Sequence, residues 1–198
     1  MKASSRFNPE KVAYYEKAGW EAYYAKNWGR VLWLMVQLNR EEFGMSLMTA
    51  MTAALDIVQA SLTFKPVDND IPKATEFLRR YFEKARRSAH IHIDAQTLAQ
   101  LEMDYWVIHR TLALERMQHP TAVPADSLED ISSMVDALEK LHTALFGVTN
   151  GTARRSAELR ALAAKRVDRI TGGYSPDVPG DWRQIESYLT QAYQALAQ

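Results

Sequence analysis

Apolar side chains recur every three or four residues almost from one end of this sequence to the other, and apolar–polar alternation of period two is nowhere sustained. A helix turns about 100° per residue, so this spacing collects apolar groups on one helical face, whereas a half-buried strand needs strict alternation. The chain is therefore predicted to be all-α. Eight Gly and seven Pro in 198 residues agree, because an all-β chain needs turn residues about every ten positions.

Cap and stop signals divide the pattern into eight helices. Asn8-Pro9 opens the first, which runs to about Lys26, and Asn27 caps the second, Trp28 to about Glu42, which stops at Gly44. Ser46 begins a third that reaches Phe64, before Lys65-Pro66. Asp68-Asn69-Asp70 with Pro72 starts a fourth, whose last turns carry Arg79, Arg80, Lys84, Arg86 and Arg87, as the helix dipole favours. Asp94 to Gln118 is one long helix, and residues 119–124 form a Pro-bounded loop. Asp126 or Ser127 caps a sixth helix ending at Phe146-Gly147, the seventh spans about Thr152 to Thr171, and Asp181 caps the eighth.

Short connections fold these helices into four antiparallel hairpins, about 9–42, 46–88, 94–147 and 152–197. No stretch reads as an interdomain linker, so 1–198 is expected to be a single all-helical domain, a compact bundle or a short tetratricopeptide-like stack. The first hairpin resembles a tetratricopeptide repeat over fewer than thirty residues: Tyr15 precedes Gly19 by four, and Trp28 opens the second helix. It departs from that pattern at Val31, Leu38 and Phe43-Gly44. Hairpin starts fall at intervals of about 37, 48 and 58 residues where an array keeps one period, so the resemblance implies hairpin stacking and not a family.

Composition bounds the partners. Lys+Arg and Asp+Glu are equal at 24 each, so no net field favours nucleic acid or a charged substrate. The basic runs Arg79–Arg87 and Arg154–Arg169 are broken by Glu83, Glu158 and Asp168 and read as solvated faces. Zero Cys excludes disulfides and every thiolate site. The start of the sequence carries no apolar export run, which makes a cytoplasmic address the default expectation. Met45–Phe64 lacks Lys and Arg but contains Asp56, Gln59 and several hydroxyls, so it is read as a buried helix and not as a membrane span. On that helix Leu47, Met51, Leu55, Val58 and Leu62 define one side, and Thr49, Thr52, Asp56 and Thr63 the other. A helix with no strongly solvated face is expected to be central, with Asp56 buried against a partner from another helix. Met45, Met48 and Met51 are read as adaptable packing.

Two constellations are candidate sites. The first hairpin holds Tyr14, Tyr15, Trp20, Tyr23, Tyr24, Trp28 and Trp33, seven of the twenty aromatics within twenty residues, at angular positions that one core cannot absorb. Tyr and Trp combine large apolar area with a polar tip, so Tyr14, Trp20, Tyr23, Tyr24 and Trp28, with Asp56, are candidates for binding a partner protein or a small apolar ligand. The second set is ionisable groups on apolar stripes: Glu16 on the first helix, Glu102 and His109 with Arg116 on the fifth, and Glu139 and His142 on the sixth. Glu139-x-x-His142 is the spacing of carboxylate-bridged di-metal bundles, so convergence of Glu16, Glu102, His109, Glu139 and His142 would make a metal protein or enzyme. Structural hydrogen bonding is the competing reading of the same residues. His90, His92 and Asp94 lie in a turn and are read as helix caps. No phosphate loop, nucleophile elbow or zinc-protease motif occurs. The expected function is a non-enzymatic helical-hairpin binding module, with the metal protein or enzyme as alternative. Cofactor, ligand identity and oligomeric state are not encoded in any motif.

Overall fold

The structure, a computed structural model, describes residues 7–119 and 124–197. Among these residues there are eight helices and no strand: α1 (Pro9–Tyr24), α2 (Trp28–Phe43), α3 (Leu47–Phe64), α4 (Ile71–Ala89), α5 (Ala95–Gln118), α6 (Ser132–Phe146), α7 (Asn150–Thr171) and α8 (Val178–Leu196). The caps explain most boundaries. Asn8, Asn27, Ser46 and Asp70 each accept the backbone N–H three residues on, and Gly44 and Gly147 close α2 and α6 in the left-handed region. The chain divides into two compact units, Met1–Met103 and Asp104–Gln198, with the boundary inside α5.

In the first unit α1 packs on α2, α2 on α3, and α3 on α4. Ala18, Ala22, Val31 and Leu34 form a buried cluster between α1 and α2. Gly19 belongs to that close approach, because a Cβ there would lie 2.6 Å from Met35 Cε. In the second unit α7 packs on both α6 and α8. Its buried stripe is built from small residues, Ala153, Ala157, Ala161 and Ala164, which let the neighbouring backbones come close.

Three boundaries or faces differ from the sequence reading. α6 starts at Ser132, not beside Asp126 or Ser127. Residues 124–131 are held as turns because the Lys165 ammonium donates to the carbonyls of Pro124 (2.9 Å) and Ser127 (3.1 Å) and to Asp130 (2.5 Å). α8 starts earlier, at Val178, because Asp177 accepts from Gly180 N–H and Pro179 is tolerated in a first turn. Asp181 is thereby left inside the helix to pair with Arg166.

The largest difference is α3, which is neither central nor buried on its large apolar side. It seats on its neighbours through Ala50, Ala53, Ala54, Ala60 and Phe64, while Leu47, Met48, Met51, Leu55 and Leu62 are between 43% and 70% exposed. The alanine ridge permits a closer approach than the leucine side would, and Asp56, on that ridge, finds its cations there. By length and composition α3 is also a helix that could cross a membrane, with 33% of it buried.

Candidate functional site

The tight turn between α1 and α2 builds an aromatic corner. Lys26 takes a left-handed conformation (φ 56°), and the Lys26 and Asn27 N–H groups return to the carbonyls of Tyr23 and Ala22. This brings Trp28 at the start of α2 against Tyr23 at the end of α1, ring centroids 5.6 Å apart and edge to face, with Tyr24 against Tyr23 at 5.4 Å in the same manner. The Lys65 ammonium, just past α3, lies 5.6 Å from the Tyr23 ring centre and 5.7 Å from that of Trp28. Such a cation over two ring faces is electrostatically attracted to both. Further along the hairpin Tyr15 meets Tyr14 and Trp33 edge-on, at 5.6 Å and 6.4 Å. Tyr14, Tyr24, Trp28 and Trp33 are exposed, Trp33 most of all at 56%, and Trp20 and Tyr23 are half-buried. Trp33 was not among the residues singled out for binding, although the aromatic run contains it.

Asp56 stands apart from this corner and has a structural partner set. It is 2% exposed, pairs with Arg80 of α4 at 3.0 Å, and accepts a hydrogen bond from Lys84. Burial against a partner from another helix is the expected arrangement, the expected partner being a Thr, a Tyr or an Arg; Arg80 fills that place and Lys84 adds a second cation. Both cations reach water, so the pair is a buried anion neutralised from the surface.

The ionisable residues on the apolar stripes do not gather. Among the described residues no group of three or more His, Asp or Glu side chains is arranged to hold a metal ion. Glu139 is turned to Arg154 of α7, at 3.1 Å, and His142 is buried. Burial, reinforced by the Arg160 charge, lowers the His142 pKa to about 3, and a hydrogen bond with the Ala153 backbone opposes that shift. Their i, i+3 spacing therefore serves two different neighbours. Glu16 and Glu102 are both buried. Of the turn cluster, His90 is the C-cap of α4 in a left-handed conformation, and Asp94 accepts the Thr97 N–H and hydroxyl at the start of α5.

His109 and Arg116 take part in a structural hydrogen-bond network, as the competing reading of these residues expects, through partners the sequence reading did not name. The His109 Nε2 lies 3.0 Å from Asp168 of α7, whose other oxygen accepts from Arg116, and Arg116 also lies 3.7 Å from Asp130, the partner of Lys165. Lys165 is only 2% exposed, so the basic run of α7 is not solvated throughout. A second arm joins Arg166 to Asp181 and Asp126, with Tyr188 donating to Asp126. Two cations and two carboxylates balance around His109. Arg116 offsets the charge of Asp168, and the pairing is that of an internal brace. Tyr105 stacks on His109 (5.8 Å, 7°), and Arg160 lies over the Tyr105 ring. Partial burial and the nearby Asp168 charge push the Tyr174 phenol up. The available signal was positional: Lys165 and Asp168 continue the stripe of Ala153, Ala157 and Ala161, the successive steps being four, four, four and three.

No family model matches the chain, and no curated protein or solved structure matches it.

Proposed function

We propose that the protein is a cytoplasmic helical-hairpin binding module that recognises a protein partner through the aromatic edge of its N-terminal hairpin. The observation that carries this reading is the exposure of Trp33, 56%, on a hairpin where Tyr14, Tyr24 and Trp28 are exposed as well. Aromatic side chains left in water on one short hairpin are the residue types that dominate partner recognition. The rings lean edge to face on one another, so they are pre-positioned and lose little freedom when a partner covers them. A surface of ring edges suits a protein contact better than a small apolar ligand, which needs to be enclosed. Of the polar residues that would have built a catalytic or metal centre, Glu139 is engaged with Arg154, His109 with Asp168 and His142 with backbone instead, which supports a scaffold role for them.

The test is site-specific photocrosslinking in the source cells, with a benzophenone amino acid placed at Trp33 or Tyr24 and, as control, at the solvated Arg183. A discrete adduct to one heterologous protein from the first two positions and none from the third is expected. Equal adduct patterns from all three would overturn the reading.

A further inference from the structure

The face of α3 that its neighbours leave uncovered has an internal symmetry. Met48, Met51, Leu55, Gln59 and Leu62 are all exposed and lie at −7, −4, 0, +4 and +7 from Leu55, in the middle of an eighteen-residue helix. We propose that this face is the seam of a homodimer, in which α3 packs antiparallel on α3 of a second copy about a two-fold axis through Leu55.

An antiparallel pair centred on Leu55 sets Met48 against Leu62 of the second copy and Met51 against its Gln59. Every apolar residue of the stripe then meets an apolar or amide side chain, because the spacing reads the same in both directions. The steps of three and four are those of a helix–helix seam. Charge points to the same occupant. A two-fold interface presents each residue to the same patch on its copy, so an uncompensated charge would meet its like. Between Leu47 and Phe64 the only ionisable side chain is Asp56, and it is turned away to Arg80 and Lys84. Lys65, at the end of the helix, lies over the rings of Tyr23 and Trp28. Area is sufficient: the four apolar side chains of the stripe and the neighbouring Leu47, about half exposed, leave on the order of 500 Å² per copy, so two copies reach about 1,000 Å², the threshold of a specific interface. Thr52 and the half-buried Val58 flank the seam and extend it.

The absence of Cys makes the register directly testable in the full chain. The mass of the protein in solution is measured by light scattering across concentration, and single cysteines are introduced by Leu55→Cys, Met48→Cys and Leu62→Cys. We expect a dimer, rapid disulfide dimerisation of Leu55→Cys at the axis, none of Met48→Cys alone, and a mixed disulfide when Met48→Cys and Leu62→Cys are combined. Residues 48 and 62 are fourteen apart, about 21 Å along one helix, so only an antiparallel partner can bring them together. Leu55→Glu places two carboxylates at the axis and should raise the dimer dissociation constant at least about 100-fold, with the helical circular dichroism retained because position 55 is exposed. Met48→Glu should act in the same direction. A monomer at all concentrations overturns the proposal, as does a dimer indifferent to Leu55→Glu and Met48→Glu. Monomers that insert α3 into neutral lipid vesicles, read by protection of Leu55→Cys from a water-soluble maleimide, overturn it as well.

Discussion

His142→Leu isolates the one buried histidine whose protonation the fold opposes. His142 is enclosed between α6 and α7, and its pKa falls from 6.5 to about 3, first through burial and then through the Arg160 charge. The unfolded chain therefore binds a proton below pH 6.5 that the folded chain refuses until about pH 3, and stability is lost as pH falls through that window. At a pH two units below the unfolded value, the loss is about 2.7 kcal/mol, taking about 1.36 kcal/mol for each unit. Leucine fills a similar volume and cannot be protonated. At neutral pH the variant should lie up to about 3 kcal/mol below the parent, because leucine leaves the buried Ala153 backbone group without its hydrogen bond. Near pH 4.5 its stability relative to the parent should have risen by about 2.7 kcal/mol. Urea unfolding of both proteins at the two pH values gives the four free energies, and carboxylates that titrate in both proteins cancel in the difference. A gap between variant and parent that is the same at both pH values would refute the reasoning.

Other perturbations test the polar pairs and the aromatic turn. Arg80→Ala with Lys84→Ala leaves Asp56 buried without its cations and should cost about 3 kcal/mol, whereas Arg183→Ala on the surface should cost less than about 0.5 kcal/mol; adding Asp56→Ala to the double variant should restore part of the loss, read by urea unfolding. Lys165→Met leaves Asp130 to the more distant Arg116 and removes the donor that holds the carbonyls of Pro124 and Ser127, so it should destabilise by about 3 kcal/mol and speed amide exchange in residues 125–131 ahead of the rest of the second unit. Lys26→Gly removes a left-handed lysine from the α1–α2 turn and should stabilise, or at least not destabilise, by about 0.5 kcal/mol in thermal unfolding.

Much of the helical architecture is legible in the sequence because it depends on local rules. Caps such as Asn8, Asn27, Ser46 and Asp70 act through a backbone N–H three residues away, and glycines such as Gly44 and Gly147 stop helices through their own φ. What failed depended on distant partners. The segment from Pro124 to Ile131 has the cap residues of a helix, yet Lys165, far along the chain, claims two of its carbonyls. Asp181 has the type and position of a cap, yet Arg166 uses it as a counter-ion. On α3 the choice between the leucine side and the alanine side was decided by how closely α2 and α4 can approach and by where Asp56 finds cations, and neither is encoded in the periodicity of α3 itself. The candidate sites divide in the same way. The exposed aromatics are visible as a local density of residues, whereas the pairing of His109 with Asp168 spans 59 positions and no local pattern announces it.

The central claim is that recognition resides in the exposed aromatics of the first unit, while the ionisable groups on the apolar stripes brace the fold. The most direct measurement compares Trp33→Ser with His109→Ala for two quantities in the same preparations: the free energy of unfolding, and the yield of the partner adduct from a benzophenone at Tyr24. His109→Ala, which leaves Asp168 without one of its hydrogen bonds, should lower stability by about 2 kcal/mol and keep the adduct, whereas Trp33→Ser should stay within about 0.5 kcal/mol of the parent and lose it. Retained stability with loss of the adduct, or of a bound metal, in His109→Ala would contradict the account.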